Sequence, residues 1–90
     1  MAWRIEFDPA ARKELDALGS EPARRILKFL SGRLAVLDDP RAIGEALRGS
    51  RFGSLWKYRI GDYRLVADIQ DQIVLIVIVR VGHRSAVYRR

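Results

Sequence analysis

Ninety residues with no cysteine and one histidine bound the chain to one small domain, residues 1–90, without disulfides or a thiolate metal centre. Apolar residues make up 49% of it and two tryptophans are present, which excludes a disordered polar chain. The net charge of +6 falls wholly on residues 41–90, with ten basic and four acidic side chains against seven of each in residues 1–40, so a polyanionic partner is expected, most simply nucleic acid.

Met1-Ala2-Trp3-Arg4 leads into an alternating segment and not an apolar run, so no signal peptide is expected. The longest apolar run, Ile73 to Val79, stops at Arg80 and is too short to span a bilayer. The expectation is a soluble cytoplasmic domain with no membrane contact.

Trp3 to Phe7 alternates as a first strand. Asp8-Pro9 then starts a helix, Asp8 as N-cap and Pro9 in the first helical position. Ala11, Leu15 and Leu18 recur at helical spacing, and Gly19 stops the helix. Ser20 is expected to cap a second helix, with Ile26, Leu27, Leu30, Leu34 and Leu37 as its apolar stripe and Asp38-Asp39-Pro40 as its end. The short turn between the helices predicts an antiparallel helical hairpin laid on a sheet. Ala42 to Leu47 is expected as a helical turn, and residues 48 to 53 as a loop.

Ser54 to Asp68 reads as a β-hairpin around the two-residue turn Gly61-Asp62. That turn sets Ile60 opposite Tyr63, Arg59 opposite Arg64, Tyr58 opposite Leu65 and Lys57 opposite Val66. Because side chains alternate faces, Trp56, Tyr58, Ile60, Tyr63 and Leu65 form the core face. Lys57, Arg59 and Arg64 share the other. After a turn at Gln70-Asp71-Gln72, the run Ile73 to Val81 is expected as an interior strand antiparallel to the preceding one. Its end brings His83, Arg84 and Tyr88 toward Arg59 and Arg64. The fold class expected is α+β: an antiparallel sheet with the N-terminal helical hairpin packed on one face.

Taken singly, Lys57 and Arg59 read as the solvated face of an amphipathic strand. Arg64 changes that, since like charges directly across a hairpin are destabilising unless an anion sits between them. Phosphate is the obvious anion. The residues converging there are Lys57, Arg59, Arg64, His83, Arg84 and Tyr88, with no carboxylate expected except Asp62 at the turn. Metal ligands are lacking, so no metal or other cofactor is expected. A metal-free cationic site suits cleavage of RNA by its own 2′-hydroxyl, which needs a base, cations for the phosphorane charge, and an acid for the departing 5′-oxygen.

Leu47-Arg48-Gly49, Trp56-Lys57-Tyr58-Arg59-Ile60-Gly61-Asp62-Tyr63-Arg64-Leu65-Val66 and Val81-Gly82-His83-Arg84-Ser85-Ala86-Val87-Tyr88 together resemble the RelE family of bacterial toxins, within the RelE/ParE superfamily. Phe7-Asp8, Lys13-Glu14-Leu15 and Leu18-Gly19 agree, so the likeness covers essentially the whole chain. The resemblance implies the RelE-like microbial RNase fold and the toxin of a type II toxin–antitoxin system. It implies an endoribonuclease that enters the 30S A site of the ribosome and cuts the mRNA codon there, with a cognate RelB-like antitoxin as its inhibitor. Carried over by position, Lys57, Arg59, Arg64, Arg84 and Tyr88 are the catalytic candidates. Arg64 and Arg84 would stabilise or protonate at the scissile phosphate, and Tyr88 would orient the mRNA. Arg48, Arg51 and His83 are the candidate RNA-binding residues.

One departure matters. Where ribosome-dependent members resemble K-x-K, this chain has Lys57-Tyr58-Arg59. Arginine keeps its proton at any physiological pH, so Lys57 is the better candidate base, with His83 the second proton carrier. Two other functions compete: a ParE-like protein inhibitor of DNA gyrase, and a nucleic-acid-binding module without chemistry.

Overall fold

The computed structural model describes residues 2–47 and 55–83. The chain runs β1 (Arg4–Phe7), α1 (Pro9–Ala17), α2 (Ser20–Phe29), a wide helical turn (Leu30–Leu34), a 3₁₀ turn (Pro40–Ile43), β2 (Glu45–Ala46), β3 (Leu55–Ile60), β4 (Tyr63–Gln70), a second 3₁₀ turn (Asp71–Ile73) and β5 (Leu75–His83). The five strands form one sheet in the order β1-β5-β4-β3-β2. Two helices beside a sheet are the expected α+β class. All neighbouring strands are antiparallel except one pair, β1 with β5, which is parallel.

Asp8 caps α1 as expected, accepting the Ala10 amide at 3.3 Å, and Pro9 occupies the first turn, where a missing N–H costs nothing. The start of α2 differs from expectation. Ser20 lies inside the helix and Gly19 is the cap, at φ +98°, a conformation that a residue without Cβ adopts freely. The stripe predicted for α2 continues past Phe29 into π geometry, where the Ala35 amide donates to the Leu30 carbonyl five residues back at 2.9 Å. That wider turn keeps both Leu30 and Leu34 buried.

Ala11 and Leu15 of α1 and Ile26 of α2 meet Tyr58, Leu65, Ala67, Ile76, Ile78 and Val81 of the sheet in one core. Trp56, Ile60 and Tyr63 pack against it, so the apolar face of the hairpin is the one alternation predicted. Beyond Ile78, where β1 stops, β5 carries a bulge that leaves Val79 unpaired between Ile78 and Arg80. Glu14 of α1 answers it: its carboxylate accepts the Val81 amide at 2.8 Å and the Arg80 guanidinium at 3.1 Å. The helix is thereby fixed to the strand that ends nearest the cationic face.

The segment before the hairpin departs most from the sequence reading. Only Pro40–Ile43 is helical, capped by Asp39 through the Arg41 amide at 3.1 Å, and Glu45–Ala46 is a strand, not the end of a helical turn. Residues 48 to 53, expected as a loop, lie outside the described residues. Among the described residues no helix is long and apolar enough to cross a membrane.

Candidate functional site

The hairpin turn decides where the cations stand. Gly61 has φ +59° and Asp62 does not share the left-handed region, as a turn with glycine in the first central position requires. The register that follows sets Arg59 opposite Arg64, Tyr58 opposite Leu65 and Lys57 opposite Val66. Lys57, Arg59 and Arg64 therefore lie on one face of the sheet, away from the helices. Together with Ile43, Glu45 and Tyr58 they line an open cleft of about 310 Å³.

Each wall of the cleft has its own support. The Tyr58 ring is buried, and its hydroxyl donates to the Pro40 carbonyl at 2.7 Å. Burial pushes that hydroxyl up to about 12, so it is a neutral wall and not a proton carrier. Gly44 makes room for the ring: a Cβ there would stand 2.7 Å from Tyr58 Cε1. The 3₁₀ turn is in turn held by Arg41, which binds both Asp71 carboxylate oxygens at 2.6 and 3.1 Å and reaches Asp39 at 3.3 Å. Its guanidinium also lies 5.9 Å from the Trp56 ring centroid. The Asp71 hydrogen bond holds the Arg41 proton still more firmly, and the same bond lowers Asp71 below the usual carboxylate value. Pro40–Ile43, and Glu45 just beyond it, are thus tied both to the β4–β5 turn and to the core.

The cations differ in their restraint. Arg64 donates one guanidinium nitrogen to the Gly61 and Tyr63 carbonyls, both at 3.1 Å, which tethers it to the turn. Arg59 is exposed and has no carboxylate partner among the described residues. Lys57 Nζ lies 3.5 Å from the Glu45 carboxylate, directly across the β2–β3 pair. Asp62 was the only carboxylate expected near the cations; Glu45 is a second, inside the cleft. The sequence does not mark it, because a residue read in a helical turn has no cross-strand neighbour and a two-residue strand shows no alternation.

β5 ends beside the hairpin turn, as its antiparallel register requires. Gly82 pairs with Arg64, whereas His83 pairs with Tyr63, and the two rings meet edge to face at 6.0 Å. His83 therefore stands on the Tyr63 face of the sheet, one residue out of phase with Arg64. Arg48, Arg51, Arg84 and Tyr88 lie outside the described residues. No three of the described His, Cys, Asp and Glu side chains converge as a metal site would need.

In sequence and in fold the chain is similar to toxins of type II toxin–antitoxin systems. The family model for the ParE toxin of type II toxin–antitoxin system, parDE, matches residues 5–88. The chain is 33% identical over 90 residues to toxin RelG of Mycobacterium tuberculosis, spanning 100% of both chains. It is 37% identical over 90 residues to the mRNA interferase toxin RelE of Escherichia coli, covering 98% of this chain and 92% of that one. Among solved structures, a chain of the RelBE2 toxin–antitoxin complex of M. tuberculosis superposes with a TM-score of 0.82 at 29% identity, over 94% of each chain. The intact E. coli RelBE toxin–antitoxin complex gives 0.73 at 31% identity, covering 91% of this chain and 96% of that one.

Proposed function

Because the chain belongs to the RelE/ParE superfamily of type II toxin–antitoxin toxins and is of the RelE type, we propose that it is an mRNA interferase: a metal-independent endoribonuclease that cuts mRNA in the ribosomal A site and so arrests translation. The observation that carries this reading is the cationic cleft, in which Arg59 faces Arg64 with Lys57 one step along the same face. The RelE relative of Escherichia coli is named an mRNA interferase toxin, which supports the endoribonuclease part of this reading.

The chemistry follows from what the cleft can do. Guanidinium groups bind phosphate oxygens bidentately and remain charged, so Arg59 and Arg64 hold the scissile phosphate and the negative charge that builds on it. Lys57 adds a third cation. RNA supplies its own nucleophile, the 2′-hydroxyl, and the products are a 2′,3′-cyclic phosphate and a 5′-hydroxyl. Arg84 and Tyr88 complete the site, Arg84 at the phosphate and Tyr88 stacking on or orienting a base, with Arg48 and Arg51 holding flanking RNA. His83, on the Tyr63 face, is not part of the cleft and would meet RNA only beyond the end of β5. A cleft so open gives little substrate positioning by itself. Positioning is worth several kcal/mol of barrier, on the order of 7–11 when complete, and the ribosome supplies it.

A RelB-like antitoxin is the cognate partner, as in the complexes that the structural neighbours form. A gyrase-directed role, the activity of ParE-type relatives, is not favoured, since the curated relatives are RelE and RelG toxins.

Mapping RNA 5′ ends shortly after induction, in cells with translation running, tests the reading. Cuts inside translated codons are expected, and purified toxin should cut ribosome-bound mRNA far faster than the same mRNA free. Intact mRNA accompanied by DNA damage would replace this function with a gyrase-directed one.

A further inference from the structure

Transesterification by a 2′-hydroxyl requires a group that accepts a proton, and the cationic face provides none in its charged form. Ammonium and guanidinium groups carry donors only. Among the described residues lining the cleft, Glu45 alone carries a carboxylate, the one side chain there whose oxygens can accept a proton from a hydroxyl. It stands opposite Lys57 in the β2–β3 register, its carboxylate 3.5 Å from Lys57 Nζ. An ordinary cross-strand ion pair accounts for that contact. It does not account for an acidic side chain on the rim of a cleft that binds phosphate, where a carboxylate repels the substrate backbone.

We propose that Glu45 is the general base of this toxin, with Lys57 holding its carboxylate in place. The proposal rests on the ribonuclease reading above and moves the base role from Lys57 to its partner. The Glu45 carboxylate takes the proton of the 2′-hydroxyl as the 2′-oxygen bonds to phosphorus. The bond from phosphorus to the 5′-oxygen breaks, and that oxygen leaves with a proton taken from water. Glu45 then returns its proton to solvent, so the cycle closes without oxidant, reductant or metal. The Pro40–Ile43 turn, anchored by Tyr58 and Arg41, fixes the strand that carries Glu45. Among the described residues, the charged or titratable groups facing Glu45 across the cleft are Lys57, Tyr58 and Arg59 of β3 and Arg64 of β4.

The test is single-turnover cleavage of mRNA on programmed ribosomes at one pH, for the parental toxin, Glu45→Gln and Glu45→Asp, with thermal unfolding and ribosome affinity measured for each. Glu45 is exposed on a short edge strand, so both variants should melt near the parental temperature. Glu45→Gln is expected to slow cleavage by about 10²–10⁴-fold with ribosome affinity changed less than about threefold. Glu45→Asp, which keeps the carboxylate, should recover at least about tenfold of that loss. A Glu45→Gln toxin cutting within about threefold of the parent would overturn the assignment. So would a Glu45→Asp toxin as slow as Glu45→Gln, because a carboxylate would then restore nothing. A parental toxin that cuts no RNA would instead remove the ribonuclease reading, and this proposal with it.

Discussion

Arg59 and Arg64 face each other directly across the β3–β4 hairpin, on the side of the sheet that the helices leave uncovered. Two like charges in that relation cost stability when nothing lies between them. Arg64 is held to the turn by the Gly61 and Tyr63 carbonyls, so its charge is fixed where phosphate is to bind. Arg64→Ala is therefore expected to abolish cleavage, by about 10²-fold or more, as loss of a preorganised charge does. Stability should change by less than about 1 kcal/mol, since two hydrogen bonds are lost and one repulsion is relieved. Cleavage on programmed ribosomes beside a urea melt checks both halves; a variant as active as the parent would remove Arg64 from the site.

Tyr58 offers a test of what shapes the cleft. Its ring is 2% exposed and its hydroxyl donates to the Pro40 carbonyl, so Tyr58→Phe leaves that carbonyl short of a donor. The cost should be about 1–2 kcal/mol, a fall in Tm of roughly 4–15 °C for a domain of this size. The hydroxyl's raised value adds a pH signature. Its folded value is about 12, against about 10 for an unfolded tyrosine, so the stability it contributes is complete below pH 10 and is lost between pH 10 and 12. Tyr58→Phe should flatten that part of the alkaline limb; an unchanged limb would mean another group drives it.

Arg41 and Asp71 give the corresponding acid test. Asp71 lies below the usual carboxylate value chiefly through its hydrogen bond from Arg41. A lowered folded value contributes stability above the unfolded carboxylate range, near pH 4, that is lost as pH falls through the folded value. Asp71→Asn should lower the urea midpoint at pH 7, with the difference from the parent closing in acid. A difference that persists unchanged at pH 2 would show that packing, and not the ion pair, was lost.

The hairpin was legible because two local facts determine it: strict alternation and a two-residue turn fix the register of every residue from Lys57 to Val66. The helices were legible from Asp8-Pro9 and from stripes at three- and four-residue spacing. Three features were not. The parallel pairing of β1 with β5 joins segments some seventy residues apart and depends on how α1 returns over the sheet. The π turn at Leu30–Leu34 preserves the same stripe that an α-helix would show, so periodicity cannot distinguish them. β2 exists because the Pro40–Ile43 turn is pinned to Tyr58 and Asp71, and because Gly44 lets the backbone close on the Tyr58 ring. Glu45 became visible as a cleft residue only through those tertiary contacts. The half of the candidate site on β3 and β4 was thus readable from sequence, whereas the carboxylate opposite it was not.

Lys57 separates the two assignments of the base. If lysine takes the 2′-hydroxyl proton, Lys57→Arg should be nearly inactive, because arginine keeps its proton at any pH at which the ribosome survives. If Glu45 is the base and Lys57 supplies charge and orientation, arginine keeps the charge and can still reach the carboxylate across the β2–β3 pair. Lys57→Arg should then lose less than about tenfold, whereas Lys57→Glu, which reverses the charge, should lose at least about 10²-fold. Combining Lys57→Arg with Glu45→Gln sharpens the comparison. Residues that act as one unit are far from additive, so the double variant should be little slower than Glu45→Gln alone. Single-turnover cleavage by the parent and the four variants at one pH decides the matter. An inactive Lys57→Arg toxin that still folds and binds ribosomes would return the base role to lysine.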